Sequence, residues 1–373
     1  MIYADHAATT RLDQDAFEAM KPWLTEQYGN PSQPYSFARP AKKALREARE
    51  MIADCIGAEP EEIFFTSGGT ESDNWAIHGA GANIKKGVIT SAIEHHAILR
   101  PCEFLKETGA VVKLLYPDRN GVIQPEVFRE TLREMRDKIK LASIMYANNE
   151  LGTIQPIREL CEIAHDFGVC FHTDAVQAVG HVEINIKKLG ADALSASAHK
   201  FYGPRGVGFL YIRKGIELAP FLRGGAQENG YRAGTENVAA IVGMAAALKN
   251  ACRTLKEDIA YITGLERVFL RELSASGVYF IRNGAESERL PGLISLSFPD
   301  QEGEMILHRM DLMGICVSTG SACDGQNTRV SHVLQAVGLE ERLAKGTIRI
   351  SLGRDNKPDE LKKIAVALRK ILE

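Results

Sequence analysis

Lys200 stands in the run Ser197-Ala-His-Lys-Phe-Tyr-Gly-Pro-Arg-Gly-Val-Gly208. It follows an apolar stretch from Ala191 to Ala198 and precedes a Gly-Pro turn that leads into Val207-Gly-Phe-Leu-Tyr-Ile212. A lysine held at a turn between two strands attacks a carbonyl only when its amine is partly deprotonated, which a desolvated or cation-rich pocket achieves. Twenty-six positions earlier, Asp174 closes another apolar run, Val169-Cys-Phe-His-Thr-Asp. A Schiff-base lysine and an acid set against a pyridinium nitrogen are the two protein parts that a pyridoxal phosphate (PLP) site requires. The alternative, a solvated surface lysine, leaves His199, Ser197, the glycines and Asp174 unexplained.

Thr66-Ser-Gly-Gly-Thr-Glu-Ser-Asp-Asn74 falls between a strand and a helix. Its glycines let backbone approach an anion, and free N–H groups at a helix start favour phosphate. A capped helix start explains such a turn equally well by itself, but Ser197 and His199 add donors just before the lysine. His95, in Ile93-Glu-His-His-Ala97, follows a strand and is expected to point into the ligand crevice of an open α/β sheet. There it can stack on an aromatic cofactor and exchange protons near neutral pH. His96 reads as a polar residue at a helix start. Asn148-Asn149 ends another strand and Gln177 lies three residues after Asp174; both offer neutral donors to a phenolic oxygen or a carboxylate, with turn capping as the competing role for an Asn.

Cys323 closes Ser318-Thr-Gly-Ser-Ala-Cys, at the edge of a polar, glycine-containing loop. A cysteine so placed can ionise and reach a reaction centre. The other six read as small buried hydrophobes. Arg349, in Thr347-Ile-Arg-Ile-Ser351, alternates with apolar neighbours and suggests bidentate capture of a carboxylate, an edge-strand charge being the alternative.

The elements that must position these residues alternate. Residues 13–29 read as a helix capped by Asp13 with Phe17, Met20 and Leu24 as its stripe, and 40–56 as a helix from Pro40 to Gly57. Strands are expected at 63–66, 88–91, 111–115, 141–145, 169–173, 191–195 and 207–212, with helices from Glu71, about His96 and Pro156. Short apolar strands between amphipathic helices mean an α/β fold, with a mostly parallel sheet covered on both faces. A long helical stretch, 237–276, leads to a tail that reads as α+β: strands near 278–282, 292–298, 315–317 and 347–351, and helices from Glu302 and Pro358. The expected units are a large PLP-binding domain over 14–256 and a small α+β domain over 1–13 and 257–373 that carries the Cys323 loop.

The 373 residues, 45% hydrophobic and 25% charged, are too many for one core. A net charge of −3 without like-charge runs disfavours nucleic acid and anionic membrane as partners. The start, Met-Ile-Tyr-Ala-Asp-His, shows no secretion signal, and no stretch reads as an uninterrupted apolar span. Seven scattered cysteines without a CxxC pair point to a reducing cytoplasm.

Taken together, the chain resembles the NifS/IscS-type cysteine desulfurases, in the class-V aminotransferase group of fold-type-I PLP enzymes. The resemblance runs from Tyr3-Ala-Asp-His-Ala-Ala-Thr-Thr10 through Gly29-Asn-Pro-Ser32 to Ile348-Arg-Ile-Ser-Leu-Gly-Arg354. Ser197-Ala-His-Lys200 and Gly320-Ser-Ala-Cys323 are its most specific motifs. It implies that Lys200 bonds PLP, Asp174 partners the ring nitrogen and His95 stacks on the ring. Gln177 and Asn149 lie near the phenolic oxygen and substrate, and Gly69, Thr70, Ser197 and His199 hold phosphate. Thr235 reaches the phosphate of the other subunit of a homodimer, Arg349 clamps the substrate carboxylate, and Cys323 becomes the persulfide.

The implied reaction turns L-cysteine into L-alanine and passes sulfur to an acceptor protein, for iron–sulfur assembly or for thiolation of a cofactor or tRNA. Catalysis needs no metal, although Cys323 would transiently ligate an iron–sulfur cluster with a scaffold partner. A selenocysteine lyase or an aminotransferase shares the lysine and aspartate without needing a protein nucleophile, and a non-catalytic scaffold would not need Lys200, Asp174 and Arg349. Departures from the family pattern fall at Tyr35, where a histidine is usual, at the charged Asp324 and Arg329, and at an end, Glu373, short of the longer tail. They bear on the acceptor rather than on the chemistry.

Overall fold

Strands buried on both faces build the centre of the larger sheet. The computed structural model describes residues 1–80, 87–135, 138–319 and 330–373. In chain order β1 (Ile2–Tyr3), α1 (Gln14–Thr25), α2 (Arg39–Ile56), β2 (Ile63–Thr66) and α3 (Gly69–Ala80) come first. They are followed by β3 (Gly87–Ser91), α4 (His96–Glu107), β4 (Val112–Leu115), α5 (Pro125–Glu134), β5 (Ile139–Ser143) and α6 (Ile157–Asp166). Then come β6 (Cys170–Asp174), α7 (Ile186–Leu189), β7 (Ala193–Ser197) and β8 (Gly208–Ile212). The strand order is β2-β8-β7-β6-β5-β3-β4. All neighbours from β7 to β4 are parallel, whereas β8 runs antiparallel to both β2 and β7. Every residue of β3, β7 and β8 is buried, which is why these strands read as continuous apolar or small-residue runs.

The helices follow their patterns with one exception. On α2, Ala41, Leu45, Ala48, Ile52 and Ile56 are buried, and Gly57 ends it in the left-handed conformation at φ +72°. Asp13 caps α1 through the N–H groups of Asp15 and Ala16. The stripe expected on α1 does not face the core: Phe17 is 40% and Leu24 59% exposed. Ala16 and Met20 make the inward contact instead, Met20 lying against Gly243, where a Cβ would stand 2.6 Å from its sulfur.

The tail comprises α8 (Val238–Ala275), β9 (Ile281–Arg282), β10 (Leu293–Ser297), α9 (Gly303–Leu312), β11 (Ile315–Cys316), α10 (His332–Ala336), α11 (Glu341–Lys345), β12 (Thr347–Ser351) and α12 (Pro358–Leu372). A second sheet has the order β12-β10-β9 and is antiparallel, and β1 pairs with β11 in parallel. One face of α8 joins the larger core through Ile241, Met244 and Leu248, and further along it joins a second core through Ile262, Leu265, Phe269 and Leu273. We propose that the division of the chain into two units falls inside this helix, at the expected step from 256 to 257. The expectation that no segment has the length and apolarity to cross a bilayer is corrected, because α8 has both. Its apolarity is accounted for by these two cores.

Residues 4–10 stitch the two sheets together. Ala4 exchanges backbone bonds with Cys316 and Ser351, and His6 N–H donates to Ser351. Farther on, Thr10 donates to the His199 carbonyl. At the opposite side of the pocket rim, β8 pairs Gly208 with both Thr66 and Ser197, so the ends of β2 and β7 lie on either side of one glycine. A Cβ there would sit 2.4 Å from the Ala196 carbonyl oxygen and 2.8 Å from the Gly68 Cα. Both neighbours are backbone and cannot swing aside. Gly208→Ala should therefore cost more than about 2 kcal/mol. Thermal unfolding checks this, and a variant that melts with the parent would contradict it.

Candidate active site

The carboxyl ends of β2, β3, β5, β6 and β7 lead to one cavity of about 290 Å³. Ligands in open α/β sheets bind at this edge because helix starts and strand-end side chains converge there. Gly69, Thr70, Ser197 and His199 line one part of it, and Asp174, Lys200, Gln177, His95, Asn149 and Arg349 the rest. Of the expected residues, Thr235 is exposed and not among the lining, and Cys323 lies outside the described residues.

At the floor, Asp174 ends β6 and accepts the Val176 N–H at Oδ1, 2.9 Å. Burial pushes its carboxyl up to about 6, against the opposing pull of the Val176 N–H and the Lys200 cation. Asp73, on α3, lines the same cavity with 1% of its surface exposed, and its Oδ1 has no hydrogen-bond partner. Burial, and next the charge of Asp174, hold Asp73 well above the usual carboxylate range. Two carboxyls this deeply buried on one cavity resist ionising together. His172 underlies both, with Nδ1 2.9 Å from Ser143 Oγ, Nε2 2.9 Å from Ser195 Oγ and 3.8 Å from Asp73 Oδ1. Full burial pushes its imidazole down to about 3, so it is neutral.

Lys200 follows β7 in a 3₁₀ turn, Ala198–Lys200. Its Nζ donates to the carbonyls of Ala7 at 2.7 Å and Ala8 at 2.9 Å. The Lys200 carbonyl in turn accepts from His181 Nε2, 2.8 Å away. His199 meets Thr9 Oγ1 through Nδ1 at 3.2 Å, and burial, then Lys200 and Arg205, push it down to about 4. Gly69 opens α3, two residues before the turn to helix was expected. A Cβ on Gly69 would come within 2.5 Å of Val176 Cγ2, so only glycine lets the helix start approach the floor this closely.

His95 caps α4, its Nδ1 accepting the Ala97 N–H at 3.1 Å. Burial and then the Lys200 charge push it down to about 4, so it is neutral with its ring hydrogen on Nε2. The two asparagines divide the roles left open for them. Asn148 is fully internal, bonding Ile93 O and the N–H groups of Glu150 and Leu151, whereas Asn149 lines the cavity. Gln177 donates to Ala7 O.

Arg349 is no exposed edge charge. It is 6% exposed, Nη2 pairs with Asp5 Oδ1 at 2.8 Å and Nη1 donates to the Asn149 carbonyl at 2.8 Å. Its Nε is buried without a partner. Asp5, Asp73 and His172 are the residues that sequence reasoning left unassigned. Asp5 and His172 lay inside quoted runs, and Asp73 inside the glycine turn, but nothing in their spacing announced a role.

This donor set suits a phosphorylated pyridine aldehyde. An amine stands near an acid that is costly to ionise alone and gains from a cationic partner. Glycines at a helix N-terminus, with a serine and a histidine, offer N–H and O–H donors to a phosphate. A buried arginine with an orphaned N–H and a second set of neutral amides serve a carboxylate.

The aminotransferase class-V family matches residues 2–364 of the chain. Cysteine desulfurase IscS of Dictyoglomus turgidum is 49% identical over 377 residues, covering 100% of this chain and 94% of the relative. A solved NifS-like protein superposes with a TM-score of 0.92 at 37% identity, covering 100% of this chain and 99% of the other. SspA, solved in complex with cysteine, has a TM-score of 0.84 at 36% identity, covering 95% of this chain and 99% of its own.

The neutrality of His172 sets a pH dependence. Its native pKa is depressed to about 3, so between about 6.5 and 3 the unfolded chain binds a proton that the native one does not. Stability is then lost as pH falls, by about 1.4 kcal/mol per pH unit from this group. Urea unfolding of His172→Asn between pH 6 and 4.5 should show a slope shallower by that amount. Equal slopes would mean that the buried ring takes up a proton in the native protein.

Proposed function

The chain belongs to the class-V aminotransferase family and is a cysteine desulfurase of that PLP-dependent class, and from that premise we propose how its residues divide the work. The observation that carries the proposal is the meeting of Lys200, Asp174, Arg349 and the Gly69 helix start in one cavity. Gly69, Thr70, Ser197 and His199 hold the phosphate of PLP, Asp174 and His95 its ring, and Gln177 and Asn149 the phenolic oxygen and substrate. Once bound, PLP supplies an electron sink for negative charge at the substrate Cα.

Lys200 anchors the cofactor and moves the proton at Cα, leaving the Ala7 and Ala8 carbonyls that otherwise orient its amine. Asp174 keeps a proton on the ring nitrogen. Arg349, held square by Asp5 and the Asn149 carbonyl, receives the carboxylate of L-cysteine. His95 stacks on the ring and, with Nδ1 spent on Ala97, offers the substrate sulfur its Nε2–H as a hydrogen-bond donor. Cys323 attacks that sulfur as a thiolate, the Cβ–S bond breaks, and sulfur stays on Cys323 as a persulfide while the carbon skeleton leaves as L-alanine.

The persulfide passes to an acceptor protein, for iron–sulfur assembly or for thiolation. A homodimer is supported by the exposed apolar residues Phe17, Leu24, Tyr28, Tyr35 and Phe37 and by Thr235, which stands outside its own pocket. Free thiols at all six described cysteines suit the cytoplasm.

Four variants separate the roles. Lys200→Ala should lose both alanine production and the absorbance of lysine-bound cofactor; turnover at the parent rate would end this assignment. Cys323→Ser should still shift the cofactor spectrum on adding L-cysteine yet release almost no alanine, whereas Cys316→Ser should lower the melting temperature more than the rate. Arg349→Lys gives up a charge-assisted hydrogen bond worth about 1.5–3 kcal/mol, so KM for L-cysteine should rise about tenfold or more. An unchanged KM would place the carboxylate elsewhere.

A further inference from the structure

Behind the active site, a cavity of about 530 Å³ opens between the end of α2, the segment around Val179–Asn185 and the middle of α8. Cys55 and Cys252 both line it, and both are half-buried. Cys252 Sγ donates to the Cys55 carbonyl oxygen at 3.9 Å, which sets the two residues side by side between α2 and α8. Two cysteines so placed on packed helices can reach the S–S bonding distance of about 2 Å by side-chain rotation. The desulfurase reaction uses neither of them.

We propose that Cys55 and Cys252 form an oxidisable dithiol, a modification site that reacts with a hydroperoxide and closes to an intrachain disulfide tying α2 to α8. The two sulfurs have different parts. Asp54 precedes Cys55 on α2, whereas Arg253 follows Cys252 on α8. Arg253 and Lys256 also line the cavity beside the acidic Asp54, Glu183 and Glu257. Cys252 is thus the thiolate that attacks, and Cys55 holds the proton until the second step.

With hydrogen peroxide the balance is complete. The Cys252 thiolate bonds one peroxide oxygen, the O–O bond breaks, and hydroxide leaves, giving a sulfenic acid. The Cys55 thiol then attacks that sulfur and water leaves as the disulfide forms. The two thiols lose two electrons to one peroxide, and with the two thiol protons taken up the products are two waters. A small dithiol reverses the bond by exchange.

The site also touches the frame of the active site. Gly180 lies between Phe201, which follows Lys200, and Ala251, which precedes Cys252: a Cβ on it would stand 2.6 Å from Phe201 Cβ and 3.4 Å from Ala251 Cβ. A new covalent bond at Cys252 therefore sits two contacts from the lysine turn.

The test treats the purified holoenzyme with stoichiometric hydrogen peroxide, alkylates the remaining thiols and maps tryptic peptides. The expected product joins residues 250–253 to the peptide containing Cys55, with a mass two hydrogens below the sum, and dithiothreitol abolishes it. In Cys55→Ser, dimedone should label Cys252; in Cys252→Ser, position 55 should stay unlabelled. The oxidised parent should melt a few degrees above the reduced one. Because the parent alone supplies the linkage map and the alkylation rates, poor folding of either variant does not remove the test. Separate peptides, a Cys55 that alkylates faster than Cys252, or dimedone on Cys55 would each overturn the proposal.

Discussion

The ladders that hold β8 antiparallel between β2 and β7 are the contacts on which the site depends. Because β8 enters from the crevice edge, its first residue, Gly208, lies between the last residues of two strands that both point there. One side leads through Gly68 into the start of α3, the other through Ser197 into the turn of Lys200. A parallel strand in this place would have put a side-chain-bearing loop between them. The reversal brings a helix N-terminus, a serine and an amine to one rim without a long connection.

Below that rim the sheet contains more acid than it can comfortably ionise. Asp73 and Asp174 face one cavity over a neutral histidine and two serine hydroxyls, and both carboxyls are almost wholly buried. Such an arrangement is expensive for the protein alone and favourable once a cation is present. The cost of this floor and its suitability for a protonated ring nitrogen have one cause, the burial of both carboxyls.

Much of this was legible in the residues. Alternating apolar runs placed the larger sheet and α2, and the turn chemistry around Lys200, Asp174 and Gly69 placed the pocket. What stayed hidden depended on distance in sequence. Asp5 and Arg349 are separated by 344 positions, and no local pattern foretells their pairing. Asn148 and Asn149 are indistinguishable by type, and only the tight turn that closes on Asn148 assigns one to the frame and the other to the cavity. The stripe on α1 misled because apolar spacing says that a face will be covered, not by what. α7, α10 and α11 are each five residues or fewer, too short for a periodic signal, and α5 passed unassigned although Phe128 and Leu132 anchor it in the core.

Residues 4–10 have a consequence for synthesis. They precede their partners Cys316, Arg349 and Ser351 by more than three hundred positions, but Gln177, His199 and Lys200 by fewer than two hundred. Once β2 to β8 and their helices have been made they can pack as a unit, and the segment already finds its middle partners there. The carbonyls of Ala7 and Ala8 meet Lys200 within that unit, whereas the bonds to Cys316 and Ser351 that hold the segment from its other side wait for the second sheet. The pocket is thus closed in two stages, and a chain stalled before β12 carries the lysine without Arg349 and without the ladder that fixes its wall.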